Sequence, residues 1–528
     1  MKAFLLFKDR DFDPKQILMQ REKKPRAYET DEKLSLKQFL PWNAAALAQD
    51  FGLDILFNKM ADGNDFILEA AETVVLSSLN DAETILYRQG ILHDCMTHEE
   101  IVRNIYQLLL DAIEKEKTSH WWGLFSSPSS ILHESIDKLS MFLEMLRKLR
   151  SFADENEKIF DSEGFRRLFK MLREELSDEY LSSLDEHLQE LKFEDGVLIS
   201  AELGKGNKGT NYILNKPFED TRNWFERLMQ KELPGYTYHV SPRDEAGSRA
   251  LSELRNQGLN KVANALARSS DHVLSFFHAL RTELAFYIGC LNLHRHLIEL
   301  NEPVCFPKPE QNKKRKMSFT GLYDVCLSLN SNKKVISNFL NADGKELVII
   351  TGANTGGKST YMRSIGIAQL MMQAGMFVPA ESFDGEIHES IISHFKREED
   401  TTMSSGKLDE ELSRMNEIID RIKPGSMVLL NESFAATNER EGSEIAKQIT
   451  TALIESGIKV IFVTHQYEFA HGLYEKKMPN AIFLRAERLE DGTRTFLVKE
   501  GEPLQTSYGV DLYEKIFQSE QQISINKK

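Results

Sequence analysis

The sequence predicts a multidomain protein of the α plus α/β class, with a helical region followed by a region built on a mostly parallel sheet. Three observations carry that expectation. Apolar residues recur every three or four positions through most of residues 76–300, the spacing of one buried helix face. A β-rich interruption breaks that period near residues 195–217. After residue 320, strand-like apolar runs alternate with helix-like stretches, the order that gives a mostly parallel sheet covered by helices.

Length and composition set the frame. A chain of 528 residues has room for several domains with well-buried cores. Apolar content of 41% and charged content of 28% are ordinary for globular proteins. The formal net charge of −15 argues against a generally basic nucleic-acid coat, while leaving room for a local basic stripe. Cys95, Cys290, Cys305 and Cys326 lie far apart with no CxxC pair, so they read as reduced thiols rather than a disulfide framework or a zinc site. The opening "MKAFLLFKDRDFDPKQ" has too short an apolar run for a signal peptide. No window reaches the roughly 18 apolar residues of a membrane span. The expectation is a cytoplasmic protein with no membrane partner.

Residues 1–75 mix short apolar runs with the polar stretch "QREKKPRAYETDEK" and suggest no definite fold. In "SILHESIDKLSMFLEMLRKLR", Leu132, Ile136, Leu139, Leu143, Leu146 and Leu149 fall on one helix face. A second amphipathic run, "FRRLFKMLREELSDEYLSSLDEHLQELKF", follows. "DGVLISAELGKGNKGTNYILNKP" then places two β-rich runs around a Gly/Asn/Lys turn, a hairpin signal. From Leu259 to Glu299 there is no proline, and Val262, Leu266, Val273, Phe277, Leu280, Leu284, Ile288 and Leu291 keep near-helical spacing. That stretch is either one helix about 60 Å long or two shorter helices folded back. Residues 301–319, with prolines and the basic cluster Lys313–Lys316, read as a linker. Residues 320–517 form the α/β region, and 518–528 a frayed tail.

The decisive stretch is "ELVIITGANTGGKSTYMRS". Gly352, Ala353, Asn354, Thr355, Gly356, Gly357, Lys358 and Ser359 satisfy the G-x-x-x-x-G-K-S/T pattern, with Thr360 next, between an apolar strand run and a helix. Glycines let backbone amides face phosphate oxygens, and the helix N-terminus adds partial positive charge. Lys358 should reach the β/γ-phosphates and Ser359 should ligate Mg²⁺. Residues 320–517 therefore read as a P-loop ATPase domain using ATP and Mg²⁺. A second site element is expected on a neighbouring strand, Met427–Leu430, which ends in Asn431-Glu432. Asn431 stands where an aspartate usually holds Mg²⁺ through water, so metal binding should be weaker and hydrolysis slow. Glu432 is placed to orient or deprotonate the attacking water. His465 ends a third apolar run, "IKVIFVTHQYEFA", as a sensor of the γ-phosphate; a structural histidine at a strand end is the plainer alternative.

"IITGANTGGKSTYMRSIG", "VPA" at Val378–Ala380, the Asn431-Glu432 block, "VTHQYEFA" and "SYGVDL" at Ser507–Leu512 resemble, in that order, the ATPase domain of the MutS family of DNA mismatch-repair proteins. "NDAETILYRQGILHDC" and "LAFYIGCLNLHRHL" resemble the start and end of that family's helical core and lever region. The resemblance implies a dimeric, ABC-like ATPase whose nucleotide sites are completed across the subunit interface, with levers that couple nucleotide state to closure around DNA. It also implies that Glu432 is the catalytic carboxylate and His465 the switch histidine, and that Ser405, Gly406, Thr437 and Asn438 lie at the dimer interface or trans site. The chain departs from the family pattern in three places. Asn431 replaces an aspartate. "SSGKLDEELSRM" keeps only Ser405 and Gly406 of a Ser-Gly-Arg-Ser-Thr-Phe-like loop. The N-terminal block is too short for a mismatch-reading domain, whose Phe-x-Glu wedge has a single counterpart triplet here, Phe142-Leu143-Glu144, read as core.

With no wedge, DNA contact falls to other candidates: Lys205 and Lys208 at the hairpin tip, Lys313–Lys316, and "HWWGLF" at His120–Phe125, which could stack bases. A solubilising turn, a solvated linker and a loop anchor explain the same residues. The reading is a homodimeric MutS-like ATPase closing on duplex or branched DNA in mismatch repair or related maintenance. The alternative is a nucleotide-gated clamp on a protein or ribonucleoprotein partner, with slow hydrolysis and no mismatch recognition.

Overall fold

Local chemistry marks where the helices start and stop. The structure, a computed structural model, describes residues 1–11, 40–119, 127–193, 196–216, 238–241, 243–311, 315–397 and 406–505. Helices α1 (Ala44–Phe51) and α2 (Leu53–Ala61) are joined at Gly52, in the left-handed region at φ 65°. The Asn64 side chain caps α3 (Asp65–Leu76) by accepting from the Phe66 and Ile67 amides, and Asp81 caps α4 (Ala82–Thr97). After α5 (Glu99–Ser119), a Ser127–Ser130 capping box with proline in the first turn starts α6 (Pro128–Asn156). Next come α7 (Glu163–Glu175), α8 (Asp178–Glu190), β1 (Leu198–Leu203), β2 (Gly209–Asn215) and α9 (Glu245–Glu299). The second half holds β3 (Lys308–Glu310), β4 (Met317–Leu322), α10 (Val325–Ser331), β5 (Asn338–Asn341), β6 (Leu347–Gly352), α11 (Lys358–Ala374), β7 (Ser382–Glu386) and β8 (Ile391–Phe395). It ends with α12 (Lys407–Arg421), β9 (Met427–Asn431), α13 (Glu439–Glu455), β10 (Lys459–Val463), α14 (Tyr467–Tyr474), β11 (Ala481–Arg488) and β12 (Arg494–Glu500).

The chain divides into two compact units. The first contains Met1–Ala3, Arg103–Phe160 and Arg166–Arg281, and the second contains Phe4–Val102, Asp161–Phe165 and the chain from Thr282 onward. In the first unit, the α6 stripe is buried at all six expected leucine and isoleucine positions. Leu132, Ile136 and Leu139 pack with Leu188, Leu259 and Ala263. Phe142 and Leu143 are buried and the Phe142 ring meets Phe277 edge-on at 5.4 Å, so the first two positions of the Phe-x-Glu triplet are core, while Glu144 is exposed and pairs with Lys148. The expected hairpin is present as antiparallel β1 and β2. The long proline-free stretch lies within one continuous 55-residue helix, α9, about 80 Å of helix at 1.5 Å per residue. The folded-back alternative is thereby removed.

In the second unit a six-stranded sheet runs in the order β12-β11-β6-β10-β9-β8. Its pairs are parallel except β11–β12. Residues 347–351 of β6 are all buried, as expected of a strand covered on both faces. Helix α11 buries Lys358 and most of the rest of its length, while Ser359 and Thr360 in its first turn are half-buried. A second, four-stranded sheet runs β3-β7-β4-β5. Phe4–Phe7 also belong to this unit: the Leu5 and Leu6 amides donate to Glu283 Oε2 at 2.7 and 2.9 Å. Arg88, wholly buried, donates to Leu6 O at 2.9 Å and to Ala374 O at 3.2 Å.

Three expectations change. Residues 301–319 are no linker, because β3 and the start of β4 lie in them and Met317 and Phe319 point into the core. The basic cluster concealed that alternation. Residues 76–300 are shared between the units rather than forming one. The strand carrying Asn431 is not the neighbour of β6: the chain returns through α13 and inserts β10 between them. Ser405, Lys313, Lys314, His120–Phe125 and Ser507–Leu512 fall outside the described residues. Among the described residues, no helix is long and apolar enough to cross a membrane.

Candidate functional site

The glycine loop is built by close approaches that exclude side chains. Gly352 ends β6 at φ 117°, and a Cβ there would lie 2.9 Å from the Ala486 amide nitrogen of β11. A Cβ on Gly356 would lie 2.8 Å from Ala353 O, the carbonyl that the Gly356 amide itself bonds at 3.2 Å. Gly357, left-handed at φ 88°, starts α11 without a side-chain cap. The loop thus turns back on itself and leaves the first amides of α11 without intrahelical partners. Lys358 is 5% exposed, and its Nζ donates to Gly352 O at 3.1 Å and Ala353 O at 2.9 Å. Burial pushes its ammonium down to about 8; nearby Glu432 opposes that shift and Arg494 adds to it.

Across the site, β9 delivers the second group of residues. In register, Val463 of β10 faces Ile350 on one side and Asn431 on the other, so the three strands end level. Ser359 Oγ donates to Asn431 Oδ1 at 2.9 Å, spanning the width of β10. The Glu432 amide donates to Val463 O at 2.8 Å, and its carboxylate meets His465 Nε2 at 3.0 Å. The hydrogen bond from His465 holds the Glu432 carboxyl below the usual range, against burial, with help from the His465, Lys358 and Lys396 charges.

The turn after β9 is strained. Glu432 and Phe434 both take left-handed φ values, 53° and 64°, a conformation that costs non-glycine residues on the order of 1–3 kcal/mol each. Surrounding groups enforce it. Phe434 is fully buried, and its carbonyl accepts from Gln466 Nε2 at 3.0 Å. Gly442 of α13 gives that pair room, since a Cβ there would lie 2.4 Å from Phe434 O and 2.5 Å from Gln466 Nε2.

Residues 352–360, Asn431, Glu432 and His465 therefore converge at the carboxyl ends of parallel strands, the usual ligand position in open α/β sheets. Thr437 donates to Glu441 and Asn438 caps α13, so both side chains serve that helix's first turn. Gly406 is the exposed N-cap of α12. Lys205 and Lys208 are exposed on the hairpin of the other unit. Sequence reasoning missed Arg494, whose Nε donates to Asn354 O at 2.8 Å, and Gln466. The only signal for Gln466 was its place beside His465. The Ser359 hydroxyl and Asn431 amide oxygen are hard, neutral donors, and they fit a Mg²⁺ ion that arrives with phosphate and keeps most of its own water.

Residues 80–300 match the family model described as the MutS2 N-terminal domain, and residues 348–527 match the one described as MutS domain V. The chain belongs to the MutS family. The DNA mismatch repair protein MutS of Streptococcus mutans is 24% identical over 405 residues, 73% of this chain and 46% of that protein. MutS of Bacillus subtilis is 27% identical over 406 residues, 66% of this chain and 46% of its own length. The mouse MutS protein homolog 4 is 29% identical over 151 residues, 29% of this chain and 16% of that protein. The chain thus spans just under half the length of the two bacterial MutS relatives. The MutS domain V match begins inside β6 and takes in the glycine loop, Asn431, Glu432, His465 and Arg494.

Proposed function

We propose that this MutS-family chain binds ATP with Mg²⁺ and hydrolyses it to ADP and phosphate, using the cycle to close a homodimer on DNA. The convergence of Lys358, the Ser359–Asn431 pair and the Glu432–His465 pair at level strand ends carries this reading. Residues 320–517 act as the P-loop ATPase domain and residues 76–300 as the core and lever.

Phosphate oxygens take the place of Gly352 O and Ala353 O as partners of Lys358, and the first amides of α11 bond the same oxygens. Ser359 and, through water, Asn431 would hold Mg²⁺, which neutralises charge on the β- and γ-phosphates when bound. The Glu432 carboxylate accepts the proton of the water that attacks the γ-phosphorus, and the bond to the ADP oxygen breaks. His465 keeps that carboxylate oriented and ionised. Asn431 brings no negative charge, so hydrolysis is slow.

DNA, duplex or branched, is the proposed partner, in mismatch repair or related maintenance, as the names of the bacterial relatives suggest. Lys205 and Lys208 are candidate backbone contacts. Thr437, Asn438, Ser405 and Gly406 are candidate dimer-interface residues. Two observations favour a second reading, a slow nucleotide-gated clamp on a protein or ribonucleoprotein: the neutral Asn431 and the net charge of −15. Steady-state ATP hydrolysis at low salt, alone and with perfect, mismatched and branched DNA, separates them. A change with one DNA form supports the first reading. Indifference to every form, with ATP still bound, supports the second.

A further inference from the structure

The strained turn that presents Glu432 leans on a buried histidine from another strand. His394 lies near the end of β8 with no solvent exposure. Its Nδ1 is 2.7 Å from Ser433 Oγ, its Nε2 is 3.1 Å from Glu411 O, and its ring stacks on Phe434 at 5.6 Å with the planes 23° apart. Ser433 and Phe434 directly follow Glu432, and Glu411 lies in α12. We propose that His394 is a positioning residue for Glu432, acting through Ser433 and Phe434 and tying their turn to α12; this rests on the ATPase reading above.

The proton inventory fits a fixed, neutral ring. A carbonyl only accepts, so Nε2 carries the hydrogen that bonds Glu411 O. In a neutral ring Nδ1 is an acceptor, and the single hydrogen of the Ser433 hydroxyl goes either to it at 2.7 Å or to His394 O at 2.8 Å. Burial, with the Arg414 charge beside it, pushes the ring down to about 4, so it stays neutral at working pH. One end of the turn is thus set by His465 on the Glu432 carboxylate, and the other by His394 on the next two residues. Helix α12 starts at Lys407, directly after Gly406. A displacement of α12 would therefore be felt at Glu432 through two hydrogen bonds and a stacked ring, without touching the glycine loop.

The test compares His394→Phe, which keeps an aromatic plane and loses both ring nitrogens, with His394→Gln, whose amide can still donate toward Glu411 O. ATP-analogue affinity and single-turnover hydrolysis are measured separately. Affinity should stay within about threefold of wild type. The His394→Phe single-turnover rate should fall by about tenfold or more, because small misplacements of a reacting group are costly. His394→Gln should recover part of the loss. If His394→Phe does not fold, Ser433→Ala removes only the hydroxyl and should slow the same step with affinity kept. Unchanged single-turnover rates in a folded variant, or affinity falling as far as the rate, would overturn the positioning role. Wild-type protein that hydrolyses no ATP would overturn the ATPase reading and this proposal with it; normal wild-type turnover with unaffected variants overturns the positioning role alone.

Discussion

Lys358, with its ammonium pushed down to about 8 by burial, is half deprotonated near pH 8 before nucleotide arrives, whereas a phosphate beside it favours the charged form. Binding above that pH must therefore take up a proton. ATP affinity should be level below about pH 8 and fall by up to tenfold per pH unit above it, measured by fluorescence titration at several pH values. A flat profile would remove the ammonium from the phosphate contact. Lys358→Ala should lose nucleotide binding altogether in the same assay. Glu432→Gln should keep ATP binding and lose about 100-fold or more in turnover. In the proposed reaction Glu432 acts as the carboxylate, and His465 lowers its pKa, so His465→Ala should move the acid limb of the rate to higher pH. Asn431→Asp should lower the Mg²⁺ concentration needed for half-maximal turnover. These side chains were legible in the sequence because each sits at the end of an apolar run with motif spacing. Arg494 was not, because only the β11–β12 pairing brings it to Asn354, 140 residues earlier in the chain.

Among the elements, α13 offers a test in which two rules give opposite signs. Gly442→Ala replaces a helix-interior glycine, a change worth about 1 kcal/mol in favour of alanine by propensity alone. Here the new Cβ would meet Phe434 O at 2.4 Å, a carbonyl held in a strained turn that has little room to move. The contact should win, giving a net destabilisation of about 1–3 kcal/mol in denaturant unfolding. A more stable variant would mean the turn is looser than its hydrogen bonds imply. The α6 stripe and the hairpin were readable because period and turn chemistry agreed at each, whereas the helical period of α9 left one helix and two folded-back helices both open. The β4 strand was hidden, since only Met317 and Phe319 alternate directly after a run of lysines and arginine before a register shift displaces Leu322. The position of β10 was hidden for another reason: strand order is set by crossovers, and no local pattern encodes it.

For the whole molecule, the proposed cycle makes assembly depend on nucleotide. Glu432→Gln with ATP should shift to twice the monomer mass in light scattering, and ADP should not produce that shift. DNA binding through backbone contacts should weaken steeply with added salt. Reporting on motion inside such a cycle needs a probe near the base of α9, and the chain carries one. The Leu5 and Leu6 amides end on Glu283 Oε2, two residues past Arg281, where α9 passes from one unit to the other. A slip of α9 by one residue, about 1.5 Å, would stretch bonds of 2.7 and 2.9 Å beyond useful length. Deuterium uptake at these two amides should then rise in whichever nucleotide state moves the helix. Two backbone hydrogens near the start of the chain thus serve as an unlabelled gauge of whether α9 has shifted.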